Sequence, residues 1–220
     1  MCSLLARLRE ATHHDHHRLD RHPRLSRLLK SDLDPESYVD ALVGLHGAQS
    51  SLEDAVRRGL ESRVVVLPAG EGYRLDERAP ALRDDLERLG GKPFDGAFAP
   101  LAVPRLETLL GLLYVLEGSR LGARVIAKHV RASLGPTVPL RFFAEAHGAT
   151  HWPSFITFAE RLFSERAVAE PRGPVASADE AALGARAAFA LFQHSLDTSP
   201  AILSRKDHLG RPLVGLEGAK

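Results

Sequence analysis

The stretch Glu107–Val130, ETLLGLLYVLEGSRLGARVIAKHV, decides how this chain folds. It is strongly helical and apolar, yet Gly111, Gly118 and Gly122 stand in its interior. Each interior glycine costs a helix about 0.8–1 kcal/mol relative to alanine. Gly118 and Gly122 are four apart and share a face, which suits something lying against the backbone with no side chain between. A neighbouring helix in a small-xxx-small contact would meet that description. So would a flat ligand laid across the helix. Ser119 between the two glycines can hydrogen-bond the backbone and accommodate a kink.

The sequence on either side is helical too. From Tyr38 the positions Leu42, Leu45, Gln49, Leu52, Val56 and Leu60 follow at three-to-four spacing. Asp34 is a good N-cap for that helix, and Pro35 fits the first helical position. Ser177-Ala-Asp-Glu180 reads as a capping box opening an Ala-rich helix that ends near Leu196. Further helices are predicted at about 3–21, 24–31, 76–89, 104–134, 140–147 and 154–169. Breaks fall at Pro23, Pro68–Gly72, Gly90–Pro93, Gly135-Pro136 and Pro171–Pro174. Only Val64–Leu67 looks strand-like, and four residues make no sheet. The expectation is an all-α, single domain over residues 1–197, with an irregular tail over 198–220.

Composition removes several classes of function. Of the 220 residues, 44% are apolar and 26% charged, enough to bury a core in one domain. Lys plus Arg is 29 against 28 for Asp plus Glu, so no basic excess points to nucleic acid. Cys2 has no partner for a disulfide or a thiolate cluster. Phosphate-loop, dinucleotide-loop and serine-elbow motifs are missing. The N-terminus lacks the pattern of a signal peptide, and no run of 18 apolar residues spans a membrane. A cytoplasmic protein is the expectation.

One count stands apart. Five of the 11 histidines, His13, His14, His16, His17 and His22, fall within ten residues. At 100° per residue, Leu5, Leu8, Thr12 and Leu19 form one stripe of the first helix. His16 lies within about 60° of its centre, whereas His13, His14 and His17 turn more than about 100° away. An inward imidazole needs a hydrogen bond, a metal or an iron porphyrin as partner. His13 and His17 at i, i+4 form half a metal site, and two ligands alone make a weak one. Glu10-x-x-His13 has no second copy that would complete a di-iron motif.

Two of these segments carry a resemblance. Glu10-Ala-Thr12-His-His-Asp-His16 resembles the proximal-helix motif of haem oxygenases, in which Glu-Ala-Thr precedes the iron-binding histidine. Tyr114-Val-Leu-Glu-Gly118-Ser-Arg-Leu-Gly122-Ala resembles the distal helix of bacterial members. Arg78–Gly90 and His151-Trp152-Pro-Ser-Phe155 are similar to bacterial family segments, and the likeness covers about residues 3–197. The resemblance implies a helical bundle with haem held between the N-terminal helix and a kinked glycine helix. It makes His16 the axial iron ligand, with Tyr114, Gly118, Ser119 and Gly122 on the distal side. Arg9 and His13, and Arg124 and Lys128, are the implied contacts to the propionates. Family members with an Asp after the first distal glycine differ from this chain, which has Ser119.

The implied activity is cleavage of haem, as both cofactor and substrate, with O₂ and electrons to biliverdin, CO and free iron. A separate reductase or ferredoxin would donate the electrons. The role would be iron acquisition or supply of biliverdin to a bacteriophytochrome. The alternatives are a haem-binding or haem-sensing protein of the same fold and a haem-free relative such as a thiaminase-like hydrolase. The hydrolase would need a nucleophile, and Cys2 is a poor candidate.

Overall fold

A computed structural model describes residues 3–62, 73–94, 96, 98–144, 151–169 and 173–201. Every regular element among the described residues is a helix: α1 (Leu4–Asp20), α2 (Pro23–Arg27), α3 (Pro35–Glu61), α4 (Ala79–Arg88), α5 (Leu106–Leu134), α6 (Arg141–Ala144), α7 (His151–Ala169) and α8 (Gly173–Thr198). The strand-like Val64–Leu67, the Pro68–Gly72 break and the tail beyond residue 201 lie outside the described residues. No described helix is long and apolar enough to cross a membrane.

α3 is buried along much of its length. Asp34 caps it as expected, accepting from the Ser37 amide at 2.7 Å, with Pro35 in the first turn. The apolar stripe from Tyr38 to Val56 is buried, but so is every residue from Ala41 to Gln49. A second face, made of small residues, therefore packs as well. A Cβ on Gly44 would lie 2.8 Å from Leu196 of α8, and one on Gly47 would lie 2.4 Å from Phe98. Ser195 donates to the Gly44 carbonyl at 2.8 Å. Glycine and alanine weigh little in a hydrophobic pattern, so periodicity alone shows one face of a helix that is buried on two.

α5 and α8 touch backbone to backbone. A Cβ on Gly111 would stand 2.0 Å from the Ala181 carbonyl oxygen, and one on Gly184 would stand 2.6 Å from that of Thr108. Helix-to-helix contact thus falls at Gly111 rather than at the Gly118–Gly122 pair. The start of α8 departs from the capping-box expectation. The helix begins at Gly173, so Ser177 lies inside it and is buried, and Glu180 accepts from Thr108 of α5 at 3.1 Å. The Ser-x-x-Glu spacing is the same; a neighbouring helix supplies Glu180 with another partner.

Carboxylates from other helices satisfy three helix starts, where backbone amides have no intrahelical acceptor. Glu160 of α7 accepts from the Leu4 and Leu5 amides of α1 at 3.2 and 3.1 Å. Glu53 of α3 accepts from Arg78 and Ala79 at α4, at 2.7 and 3.0 Å. Asp85 of α4 accepts from Arg141 and Phe142 at α6, at 3.0 and 2.8 Å. None of these pairings is local in sequence. His22 also has a structural role: it is buried, accepts from the Arg24 amide at α2, and pairs with Asp197 at 3.2 Å.

The contrast between the α5 glycines gives a stability test. Gly111→Ala forces the two helices apart and is expected to cost about 1–3 kcal/mol despite its better helix propensity. For a chain of this size that lowers the thermal midpoint by about 2–4 °C per kcal/mol. Gly122→Ala meets nothing within 4 Å, so it gains up to about 1 kcal/mol from propensity and raises the midpoint.

Candidate functional site

α1 and α5 flank a cleft of about 720 Å³, with Phe189 and Phe192 of α8 and Trp152 of α7 also in its wall. His16, Arg9, His13, Tyr114, Gly118, Ser119 and Gly122 all line it. Residues about 100 apart in sequence are thus brought to one space. Arg124 and Lys128 do not line it; both are exposed on α5. They lie two and six residues beyond Gly122, which rotates them about 200° and 240° from it. The expectation that they reach a ligand beside the glycines is not supported by their placement.

α1 buries Leu4, Leu8 and Thr12 against the core, with the Thr12 hydroxyl donating to the Leu8 carbonyl at 2.7 Å. His16 is not sunk into that core: its side chain is 61% exposed. It stands at the cleft, its ring 5.8 Å from that of Phe189. Its Nδ1 is 2.9 Å from an oxygen of Asp20, one turn later. That carboxylate fixes the tautomer with the proton on Nδ1 and leaves Nε2 as the atom with a lone pair. His13 and His17 are exposed as expected, but they also line the cleft, with their Nε2 atoms 3.0 Å apart. No group of three or more His, Cys, Asp or Glu able to hold a metal occurs among the described residues.

The opposite wall has no side chain at two positions. A Cβ on Gly122 would enter open space, and one on Gly118 would make only ordinary contact with Trp152, at 3.6 Å. The indole lies 5.9 Å from the Tyr114 ring and 5.6 Å from that of Phe155. A flat apolar guest therefore finds backbone on one side, an imidazole on the other, and aromatic edges around it.

Sequence reasoning missed the polar back wall. Arg78, just before α4, is buried and lines the cleft. Its guanidinium donates to the Ser119 hydroxyl, which itself donates to the Leu116 carbonyl at 2.7 Å. The guanidinium carbon sits 5.1 Å over the Phe142 ring, and Nε has no hydrogen-bond partner. Burial, with help from nearby Arg120, pushes the Arg78 pKa down to about 10, so it stays cationic at neutral pH. Glu53 accepts from Gln49 of the cleft wall at 2.6 Å, and burial raises its carboxyl pKa. Behind the wall Arg120 pairs with buried Glu117 at 2.9 Å and with Asp76 at 3.2 Å. The i, i+4 spacing of His16 and Asp20 was a usable signal. Arg78 and Ser119 are 41 residues apart, and no local pattern joins them.

The chain's one tryptophan lies in the cleft wall. A porphyrin entering the cleft is expected to quench Trp152 fluorescence saturably. Filling the open space with Gly122→Leu should weaken that quenching; unchanged quenching would place the guest elsewhere.

A family model described as "Heme oxygenase" matches residues 2–198. The chain is 34% identical over 166 residues to "Heme oxygenase" of Xanthomonas campestris pv. campestris (strain 8004), covering 74% of this chain and 91% of that protein. Among solved structures, the NO- and CO-bound heme oxygenase of Neisseria meningitidis aligns with a TM-score of 0.60 at 23% identity, covering 90% of this chain and 92% of that one. Heme oxygenase-1 of the cyanobacterium Synechocystis sp. PCC6803, in complex with heme, aligns at 0.59 and 17% identity, covering 89% and 91%. At these identities the two structures show a shared all-helical fold.

Proposed function

The chain belongs to the haem oxygenase family, and from that premise we propose that its cleft seats haem between His16 of α1 and the Gly118–Gly122 face of α5. As a haem oxygenase it cleaves haem to biliverdin. One observation carries the assignment of the site. Asp20 occupies Nδ1 of His16, so Nε2 is left to coordinate, and across the cleft a Cβ at Gly122 would meet nothing. Haem, when bound, supplies both the iron that takes up O₂ and the porphyrin edge that is oxidised.

The protein's part is placement, charge and control of protons. Asp20 holds Nδ1 of His16 and so orients the ring, leaving Nε2 towards the guest. Gly118 and Gly122 would let the α5 backbone approach a bound ring with no side chain between, leaving room there for O₂. Phe189, Phe192 and Trp152 take up apolar macrocycle surface. Arg9 and His13 line the cleft on α1 and can meet the propionates. The exposed Arg124 and Lys128 would have to reach round α5 to do the same.

Ser119 cannot act as a carboxylic acid, and its hydroxyl proton is committed to the Leu116 carbonyl. Arg78, which lines the cleft, holds that hydroxyl in place, while its own Nε is buried and has no hydrogen-bond partner. Ordered water oriented by Arg78 and Gln49 is the proposed proton path. Electrons are assigned to a separate reductase or ferredoxin, since one cysteine cannot ligate an iron–sulfur cluster by itself. A bacteriophytochrome is a fitting receiver for biliverdin.

Hemin added to the purified chain should give a Soret band of a histidine-ligated complex, and reductant with O₂ should convert it to biliverdin. A stable ferrous–O₂ complex without ring cleavage would overturn turnover while leaving haem binding intact. His16→Ala should abolish the histidine-ligated spectrum. Asp20→Ala keeps the ligand but lets it rotate, and should weaken hemin binding about 10–100-fold. An unaltered titration curve would remove Asp20 from the site.

A further inference from the structure

His13 and His17 were a weak candidate by spacing, because i, i+4 histidines share a face without necessarily converging. In the structure they do converge. Their Nε2 atoms are 3.0 Å apart and their ring centroids 4.3 Å apart, with the planes at 73°. Both side chains are exposed and both line the cleft mouth. With metal–nitrogen bonds of about 2.0–2.1 Å, nitrogens at that separation subtend about 90–100° at a common cation. That angle fits two neighbouring positions of an octahedral or tetragonal ion, the preference of first-row divalent metals.

The pair also stands beside the iron ligand, since the His17 ring centroid is 6.4 Å from that of His16. We propose that His13 and His17 form a two-imidazole transit site at the cleft mouth for the ferrous iron set free when haem is cleaved. Naming the cation as that iron rests on the function proposed above; binding of a divalent metal by the pair does not.

The chemistry is a ligand exchange with no redox change. Coordination needs both rings with the proton on Nδ1. The hydrogen now held between the two Nε2 atoms therefore moves through solvent to Nδ1 of the donor ring, and the cation takes its place. Water fills the other positions, because among the described residues no third ligating side chain joins the pair. Arg9 lies one turn before His13 and also lines the cleft, a fixed positive charge that weakens the hold on a cation. Two ligands and an opposing charge suit a site that passes iron on rather than stores it. In this setting the weakness of a two-ligand site is the property required.

The test has two arms. In the first, the haem-free full-length chain is titrated calorimetrically with nickel(II). The expected result is one site per chain, weakened about tenfold or more in His13→Ala and in His17→Ala, since each leaves a lone imidazole without its chelating partner. His14→Ala should bind as the wild type does. No binding, or equal losses in all three variants, would overturn the site.

In the second arm, haem-loaded protein turns over with reductant and O₂ beside a ferrous chelator. Iron should reach the chelator later than bilin appears in the wild type, and together with bilin in His17→Ala. Identical delays in the two proteins would overturn the transit role even if nickel binds. If the wild type forms no bilin, haem cleavage itself fails and iron loses its source, while the nickel result stands independently.

Discussion

Contact between the backbones of α5 and α8 at Gly111 and Gly184 governs the rest of the molecule, because it fixes which face of α5 meets which neighbour. Gly111, Gly118 and Gly122 are seven and then four residues apart, which places all three within about 40° on the helical wheel. They form one stripe. At Gly111 the stripe is closed by α8, where a Cβ would collide with the Ala181 carbonyl. Two and three turns later the same stripe is left uncovered and becomes a wall of the cleft. The two occupants that such glycines could serve, a helix and a flat ligand, are thus both provided for on one helix face.

Buried charge surrounds that apolar space in an ordered way. Glu53, Asp85 and Glu160 each leave their own helix to cap another, so the ends of α4, α6 and α1 are positioned by residues distant in sequence. Such bonds cost desolvation, visible in the raised pKa of Glu53 and Asp85, and that cost is offset by amides that would otherwise lack acceptors. Glu53 ties this scaffold to the cleft, because it also holds Gln49 and the backbone of Arg78. The polar back wall is therefore built into the fold rather than placed on a loop beside it.

The cleft divides its chemistry by side. α1 presents imidazoles and a guanidinium, α5 presents bare backbone at Gly118 and Gly122 beside the Ser119 hydroxyl, and Arg78 clamps that hydroxyl from behind. A ligand that needs an axial nitrogen on one face and free approach on the other is matched by this asymmetry. The histidine-rich turn is likewise divided. His22 is structural, His16 is oriented by Asp20, and His13 and His17 face each other at the mouth.

Helices are local objects, and their existence, the Asp34 cap and the breaks at Gly90 and Gly135, both with positive φ, were legible in the sequence. So were the two segments that come to line the cleft, because each is one run of residues on one helix. What the sequence by itself determined stops where partners are distant. It could not separate Gly111 from Gly118 and Gly122, since a glycine's use depends on what lies opposite. It placed Arg124 and Lys128 by nearness in sequence, whereas rotation about α5 turns them from the cleft. It set His16 inward by averaging a stripe, whereas the ring is exposed and lines the cleft. The partners of Arg78 and Glu53 were decided only by tertiary structure, and the convergence of His13 with His17 by side-chain rotamers within one helix. Hydrogen-bond geometry is a matter of tenths of an ångström between atoms, and spacing along a chain fixes only which residues share a face.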